Sequence, residues 1–97
     1  MHLMKVNGEV EAVVGDQSLE QLQKAVDGYI EQIHFPTPVE VEGVKYSHAY
    51  VNEEGKLRAM PINQRATRLW VEAHGITVEE ATDYLVGNVL FFTDAEV

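Results

Sequence analysis

Apolar residues follow two rhythms along this chain, one of period two and one of three to four, and turn residues mark the change between them. His2–Val6 and Glu9–Val14 flank Asn7-Gly8, a dipeptide suited to a two-residue hairpin because both turn positions need positive φ. That register sets Val6 opposite Glu9 and Lys5 opposite Val10, so neither face of the ribbon is cleanly apolar. Ser18-Leu-Glu-Gln21 then has the form of a capping box. Leu19, Leu22 and Val26 follow on one stripe with Ala25 beside it, and Gly28 suits the left-handed position past a helix end. The spacing predicts a helix over 19–27.

Tyr29–Phe35 reads as a strand, ended by Pro36-Thr-Pro38 because neither proline can donate to a ladder. Val39 and Val41, alternating with Glu40 and Glu42, predict a short half-exposed strand before a turn at Gly43. The β-branched and aromatic residues of Val44–Val51 predict another. Asn52-Glu-Glu-Gly55 is a turn. Lys56–Met60 is expected to return antiparallel to Val44–Val51, with Leu57 and Ala59 on one face and Lys56 and Arg58 on the other. Pro61 breaks that ladder. Asn63 then caps a predicted helix carrying Ala66, Leu69, Trp70 and Ala73 on one stripe, with Gly75 as its stop.

Thr77-Val-Glu-Glu80 repeats the capping-box pattern ahead of a further predicted helix, whose inward stripe is Val78, Ala81 and Leu85 and whose end is Gly87. Asn88–Thr93 contains Val-Leu-Phe-Phe, a continuous apolar run expected of a strand covered on both faces. The tail Asp94–Val97 is expected to fray. Together these elements predict a single small α+β domain: a mostly antiparallel sheet of five or six strands, with two or three helices packed on a face.

Composition narrows the function classes more than the fold. The 97 residues suit one domain, and 45% hydrophobic content is ordinary for a globular chain. No apolar run is long enough for a membrane span, the N-terminus lacks a signal peptide's apolar core, and the absence of cysteine excludes disulfides and thiolate metal sites. A cytoplasmic protein is the simplest expectation. Sixteen acidic against seven basic residues give a formal net charge of −9. Such a field repels phosphate backbones and argues against direct nucleic-acid binding. The acidity reads as solubility or, more sharply, as imitation of DNA.

No catalytic motif stands out. His2, His34, His48 and His74 form no His-x-x-x-His and no tight grouping with carboxylates in the sequence, so neither a metal nor any other cofactor is expected. Ser18 and Ser47 lie in no Gly-x-Ser-x-Gly context, and no Gly-rich phosphate loop is present. A hydrolase built on His48 and Glu53 is the remote enzymatic option. Tyr46, His48 and Tyr50 share a strand face and could stack a base, but a buried sheet face is the better explanation of them. Trp70 sits at core spacing, with an interface anchor as its alternative.

The densest chemistry lies in Tyr50–Trp70, which holds four of the seven basic residues, Lys56, Arg58, Arg65 and Arg68. With Asn52, Glu53, Glu54 and Asn63 these form the candidate binding surface. It reads as a solvated face laced with weak salt bridges, or as a patch for a phosphate, a nucleotide or an acidic partner segment.

Leu19–Glu31, Leu-Glu-Gln-Leu-Gln-Lys-Ala-Val-Asp-Gly-Tyr-Ile-Glu, resembles the Leu-x-x-Leu-Gln-x-x-Val-Gly-Gly-Tyr-Ile-Glu pattern of a family known only as domain of unknown function DUF3846. Asn52-Glu-Glu-Gly-Lys56, Asn63-Gln-Arg-Ala-Thr-Arg-Leu-Trp70 and Val86-Gly-Asn-Val-Leu-Phe-Phe92 fit it too, in order and over nearly the whole chain. Asp27 departs from the pattern where the first glycine of Gly-Gly-Tyr would stand. The resemblance implies a small intracellular protein of a bacteriophage, mobile element or bacterium, and carries over no activity. The expectation is a non-enzymatic accessory protein that binds a host or phage protein, inhibition of a host defence being the most natural version. Sequestration of a small phosphorylated ligand is the alternative. A homodimer through an exposed edge strand is also open.

Overall fold

Val89–Phe92 forms a strand whose four residues are all buried, and the rest of the chain is arranged around it. The computed structural model describes residues 1–96. In chain order the elements are β1 His2–Met4, β2 Val10–Ala12, α1 Leu19–Val26, β3 Ile30–Val41, β4 Val44–Asn52, α2 Gln64–Ala73 and β5 Val89–Phe92. Single 3-10 turns cover Val78–Glu80 and Asp94–Glu96. The strands make one antiparallel sheet in the order β2-β1-β5-β4-β3. The last strand in sequence is therefore the central one.

Alternation along β5 divides the core. Val89 and Phe91 join Met4, Phe35, Val39, Tyr46, Ala49 and Val51 under α2, while Leu90 and Phe92 join Leu3 and Val26 under α1. The two helices thus cover opposite faces of the sheet, where the sequence suggested one. This is why β5 needs an unbroken apolar run. No helix among the described residues is long and apolar enough to cross a membrane.

The α1 capping box forms as expected: the Gln21 N–H donates to Ser18 Oγ at 3.2 Å, and Gln21 Oε1 accepts from the Ser18 N–H at 2.8 Å. Leu19, placed on the inward stripe by its spacing, is 60% exposed, and Leu22, Ala25 and Val26 do the packing. The left-handed position at the C-terminus belongs to Asp27, with φ 61°, rather than to Gly28. Gly28 instead has φ 154°, and a Cβ there would stand 2.5 Å from Asn52 Nδ2.

Several expectations are corrected by tertiary pairing. Met4 pairs with Val10 and the Lys5 N–H donates to Glu9 O, so the first hairpin has a three-residue Val6–Gly8 loop and its register is shifted by one. Pro36 and Pro38 do not end β3. They occupy a stretch where the register with β4 shifts, between His34 and Val39, on an edge strand that tolerates missing donors. Across the same irregularity the α2-facing side of β4 passes from Ala49 to Tyr46, so Tyr46 does not share a face with His48 and Tyr50.

Lys56–Met60 forms turns, not a strand. Both edges of β4 are already taken by β3 and β5, and the segment folds on itself through Arg58 N–H to Glu54 O and Met60 N–H to Gly55 O. The predicted helix after Thr77 stops after one 3-10 turn, although its capping box is made. Leu85 is drawn away: Asn63 N–H donates to Leu85 O at 2.8 Å, Leu85 N–H donates to Thr67 Oγ1 at 2.9 Å, and Val86 bridges Ile62. The α2 helix and its Asn63 cap match the expectation, with the Ala66 N–H donating to Asn63 Oδ1 at 3.1 Å. The tail forms a 3-10 turn up to Glu96, and Val97 lies outside the described residues.

Candidate functional site

The residues singled out in the sequence separate into supports and surface groups. Asn52 is buried at the end of β4, where its Nδ2 donates to the carbonyls of Val26 and Asp27 and its Oδ1 accepts from the Glu54 N–H. It ties the C-terminus of α1 to the sheet and shapes the turn that follows. Asn63 is fully buried; besides capping α2, its Nδ2 donates to Met4 O and Gly87 O at 3.0 Å each. Every polar atom of both amides is therefore committed to backbone. Glu53 and Glu54 are exposed on the turn.

The four basic residues do not form one cluster. Lys56 pairs with Asp83, its ammonium 4.9 Å from the centre of the Tyr84 ring. Arg58 donates to Asp27 O at 2.6 Å and reaches the Asp27 carboxylate at 3.3 Å. Arg65 donates to Gly8 O at 2.9 Å. Arg65 and Arg68 line a shallow depression with the Val6–Gly8 loop, and Arg68 makes no ion pair among the described residues.

The best-formed concavity is a cleft of about 320 Å³ on the α2 side of the sheet. Its floor is Ile33 of β3 and Val51 of β4. One wall is Trp70 of α2, another is Asp83, Tyr84 and Leu85, and the turn bearing Glu53, Lys56 and Leu57 forms the third. Glu31 stands at the β3 side. Trp70 is half-buried here, packed on the core as its spacing predicts and lining the cleft with its remaining surface. Leu57 at the rim is 87% exposed.

Three carboxylates, Glu31, Glu53 and Asp83, face this cleft against one ammonium. The hydrogen bond from Lys56, ahead of the Tyr84 N–H and the lysine's charge, holds the Asp83 carboxyl below its ordinary range, against the opposing effect of burial. Lys56 is thereby spoken for, and the remaining field of the cleft is that of Glu31 and Glu53. An apolar and aromatic hollow of this sign suits a cationic or amphipathic side chain better than a phosphate. Its walls carry no histidine, serine or cysteine.

Sequence reasoning missed one grouping, on the other face of the sheet. His48 Nε2 pairs with Asp94, its Nδ1 lies 3.4 Å from Gln32 Nε2, and its ring stacks on Phe92 with centroids 5.3 Å apart. His34, directly opposite on β3, lies 5.3 Å away by ring centroid. Residues 48 and 94 are far apart in sequence and meet only through the β4–β5 ladder, so no spacing signal existed. Glu53 belongs to the cleft on the opposite face, and the structure does not bring it together with His48. No group of three or more His, Cys, Asp or Glu side chains among the described residues is placed to hold a metal ion.

Comparison with curated proteins and with solved structures gave no match. The family model described as Domain of unknown function (DUF3846) matches residues 1–96. The match spans the sheet, both helices and the cleft on the α2 side, and the chain belongs to the DUF3846 family.

Proposed function

We propose that this is a small acidic accessory protein, encoded by a phage or mobile element, that acts without catalysis by binding a host or phage protein. Counter-defence is the role this reading favours. The origin rests on the family resemblance. The binding rests on one observation: a cleft walled by Trp70 and Tyr84, rimmed by the almost fully exposed Leu57, and lined by Glu31 and Glu53, which make no ion pair among the described residues. Aromatic anchors beside a charged rim are the usual composition of protein-binding hot spots.

The test is affinity capture of the tagged protein from infected-cell lysate, read by mass spectrometry. A Leu57→Glu/Tyr84→Lys variant, altered only at exposed positions, is expected to lose the captured partner. An Arg65→Glu/Arg68→Glu variant is expected to keep it. Retention by the first variant would overturn the cleft as the binding surface.

A second reading has a narrower basis, the depression lined by Arg65 and Arg68, where a small phosphorylated ligand or nucleotide could be sequestered. A bound ligand above its Kd raises apparent stability, about 2.7 kcal/mol at a hundredfold excess over Kd. A nucleotide thermal-shift screen without stabilisation would remove this alternative.

A further inference from the structure

The outer edge of β3 adjoins the cleft, and its two halves are built differently. The second half carries Pro36 and Pro38 in a stretch of shifted register, a device that discourages pairing along an edge. The first half, Ile30–Phe35, carries none. The Glu53 N–H donates to Tyr29 O at 2.8 Å, which fixes the phase of the ladder: Tyr29, Glu31 and Ile33 turn their backbone groups toward β4. Ile30, Gln32 and His34 therefore turn theirs outward, three N–H and three C=O groups on an edge that pairs with no other strand among the described residues. On this half the side chains of Glu31 and Ile33 point to the α2 face and line the cleft.

We propose that the partner's contact is an extended basic segment that adds to β3 as a sixth strand along Ile30–His34. Its alternate Lys or Arg side chains lie over Glu31 and Glu53. The inference rests on the reading of the cleft as a protein-binding site and specifies the chemistry of what enters it. Main-chain hydrogen bonds to the outward groups give the segment its register, and cross-strand pairing brings its side chains beside Glu31 on the cleft face. Charge selects the occupant. The cleft retains an excess of carboxylates, and a second copy of this chain, itself at −9, would bring like charge to the same edge.

The probe is a capped synthetic heptapeptide of alternating lysine and valine, with a glutamate-for-lysine counterpart, titrated into the isotope-labelled full chain and followed by amide chemical shifts. The lysine peptide is expected to move the amides of residues 30–34 and to bind at least tenfold more tightly than the glutamate peptide. The Glu31→Lys/Glu53→Lys variant, changed at exposed positions, is expected to reverse that preference. Gln32→Pro, which removes one outward donor and no β3–β4 ladder bond, is expected to weaken the lysine peptide at least fivefold. Equal binding of both peptides, shifts confined elsewhere, no binding at millimolar peptide, or a concentration-dependent dimer that protects the same amides would each overturn the proposal. If the lysate partner is lost by Leu57→Glu/Tyr84→Lys yet kept by Gln32→Pro and by the double lysine variant, strand addition falls while the cleft reading stands.

Discussion

Two buried asparagines hold this structure together, and they illustrate how differently one residue type can be used. Asn63 satisfies two carbonyls with its amide nitrogen and starts α2 with its oxygen. Asn63→Ala removes a cap worth about 1 kcal/mol and leaves two carbonyls short of a donor at about 1–3 kcal/mol each. A loss of roughly 3–7 kcal/mol is expected from urea unfolding. Asn63→Asp keeps the cap acceptor but turns a carboxylate on the same carbonyls, so it should be no less damaging. A mild effect of the aspartate would show that capping is the main role. At the other amide, the αL conformation of Asp27 costs a residue with a Cβ about 1–2 kcal/mol, offset by a weak exposed pair with Arg58. Asp27→Gly is expected to stabilise by a few tenths to about 1 kcal/mol after the entropic penalty of glycine. Thermal unfolding of the two proteins side by side decides it.

At the scale of elements, what was legible in the sequence was whatever depends on local chemistry. Ser18 and Gln21, Asn63, and the Val-Leu-Phe-Phe run each announce their element because capping and two-sided burial leave a local signature. The failures share one cause. Leu85 abandons a helix because Asn63 and Thr67 bind its backbone, and Lys56–Met60 finds both edges of β4 occupied. Neither fact is encoded nearby. Within the candidate surface, Asn52 and Asn63 looked like contact residues and are supports, whereas Glu31, Asp83 and Tyr84 join the cleft only through the fold. The prolines of β3 belong to this scale too. Replacing Pro36 and Pro38 by threonine restores edge donors and is expected to raise self-association, visible as a concentration-dependent increase in mass by light scattering. A strictly unchanged mass would mean that the register shift alone protects that half of the edge.

For the whole molecule, acidity and the joining of its first and last elements set the response to pH. The Met1 amine donates to Val13 O and, at 2.7 Å, to Glu96, whose carboxylate also accepts from the Thr93 N–H. Burial would raise the Glu96 carboxyl, but the bonds from the amine and Thr93 outweigh it and hold it below its ordinary value. A carboxyl lowered in the folded state binds fewer protons there than when unfolded. Its stabilisation is full above the unfolded pKa and is lost as pH falls through the folded one. Asp83 acts in the same direction. The urea midpoint should therefore fall as pH drops below about 4, and less steeply in Glu96→Gln. An identical acid slope in the variant would refute the linkage. Tyr46 is raised by burial and then by the nearby charge of Glu96, so its share of stability is present below the unfolded tyrosine pKa and fades as pH rises through the folded one.

The central position of β5 also governs the order of events in time. Its partners β1 and β4 are both made earlier, and β1 must wait across almost the full chain for the strand it pairs with. The β3–β4 hairpin, closed by Glu42 and Gly43, needs only neighbouring residues and can form while the C-terminal strand is still being synthesised. Such long-range closure slows folding relative to helical chains of the same size. Until β5 arrives, both flanking edges stand open. A chain in which β5 has not yet docked therefore presents two unpaired strand edges at once, the kind of surface through which partly folded chains aggregate.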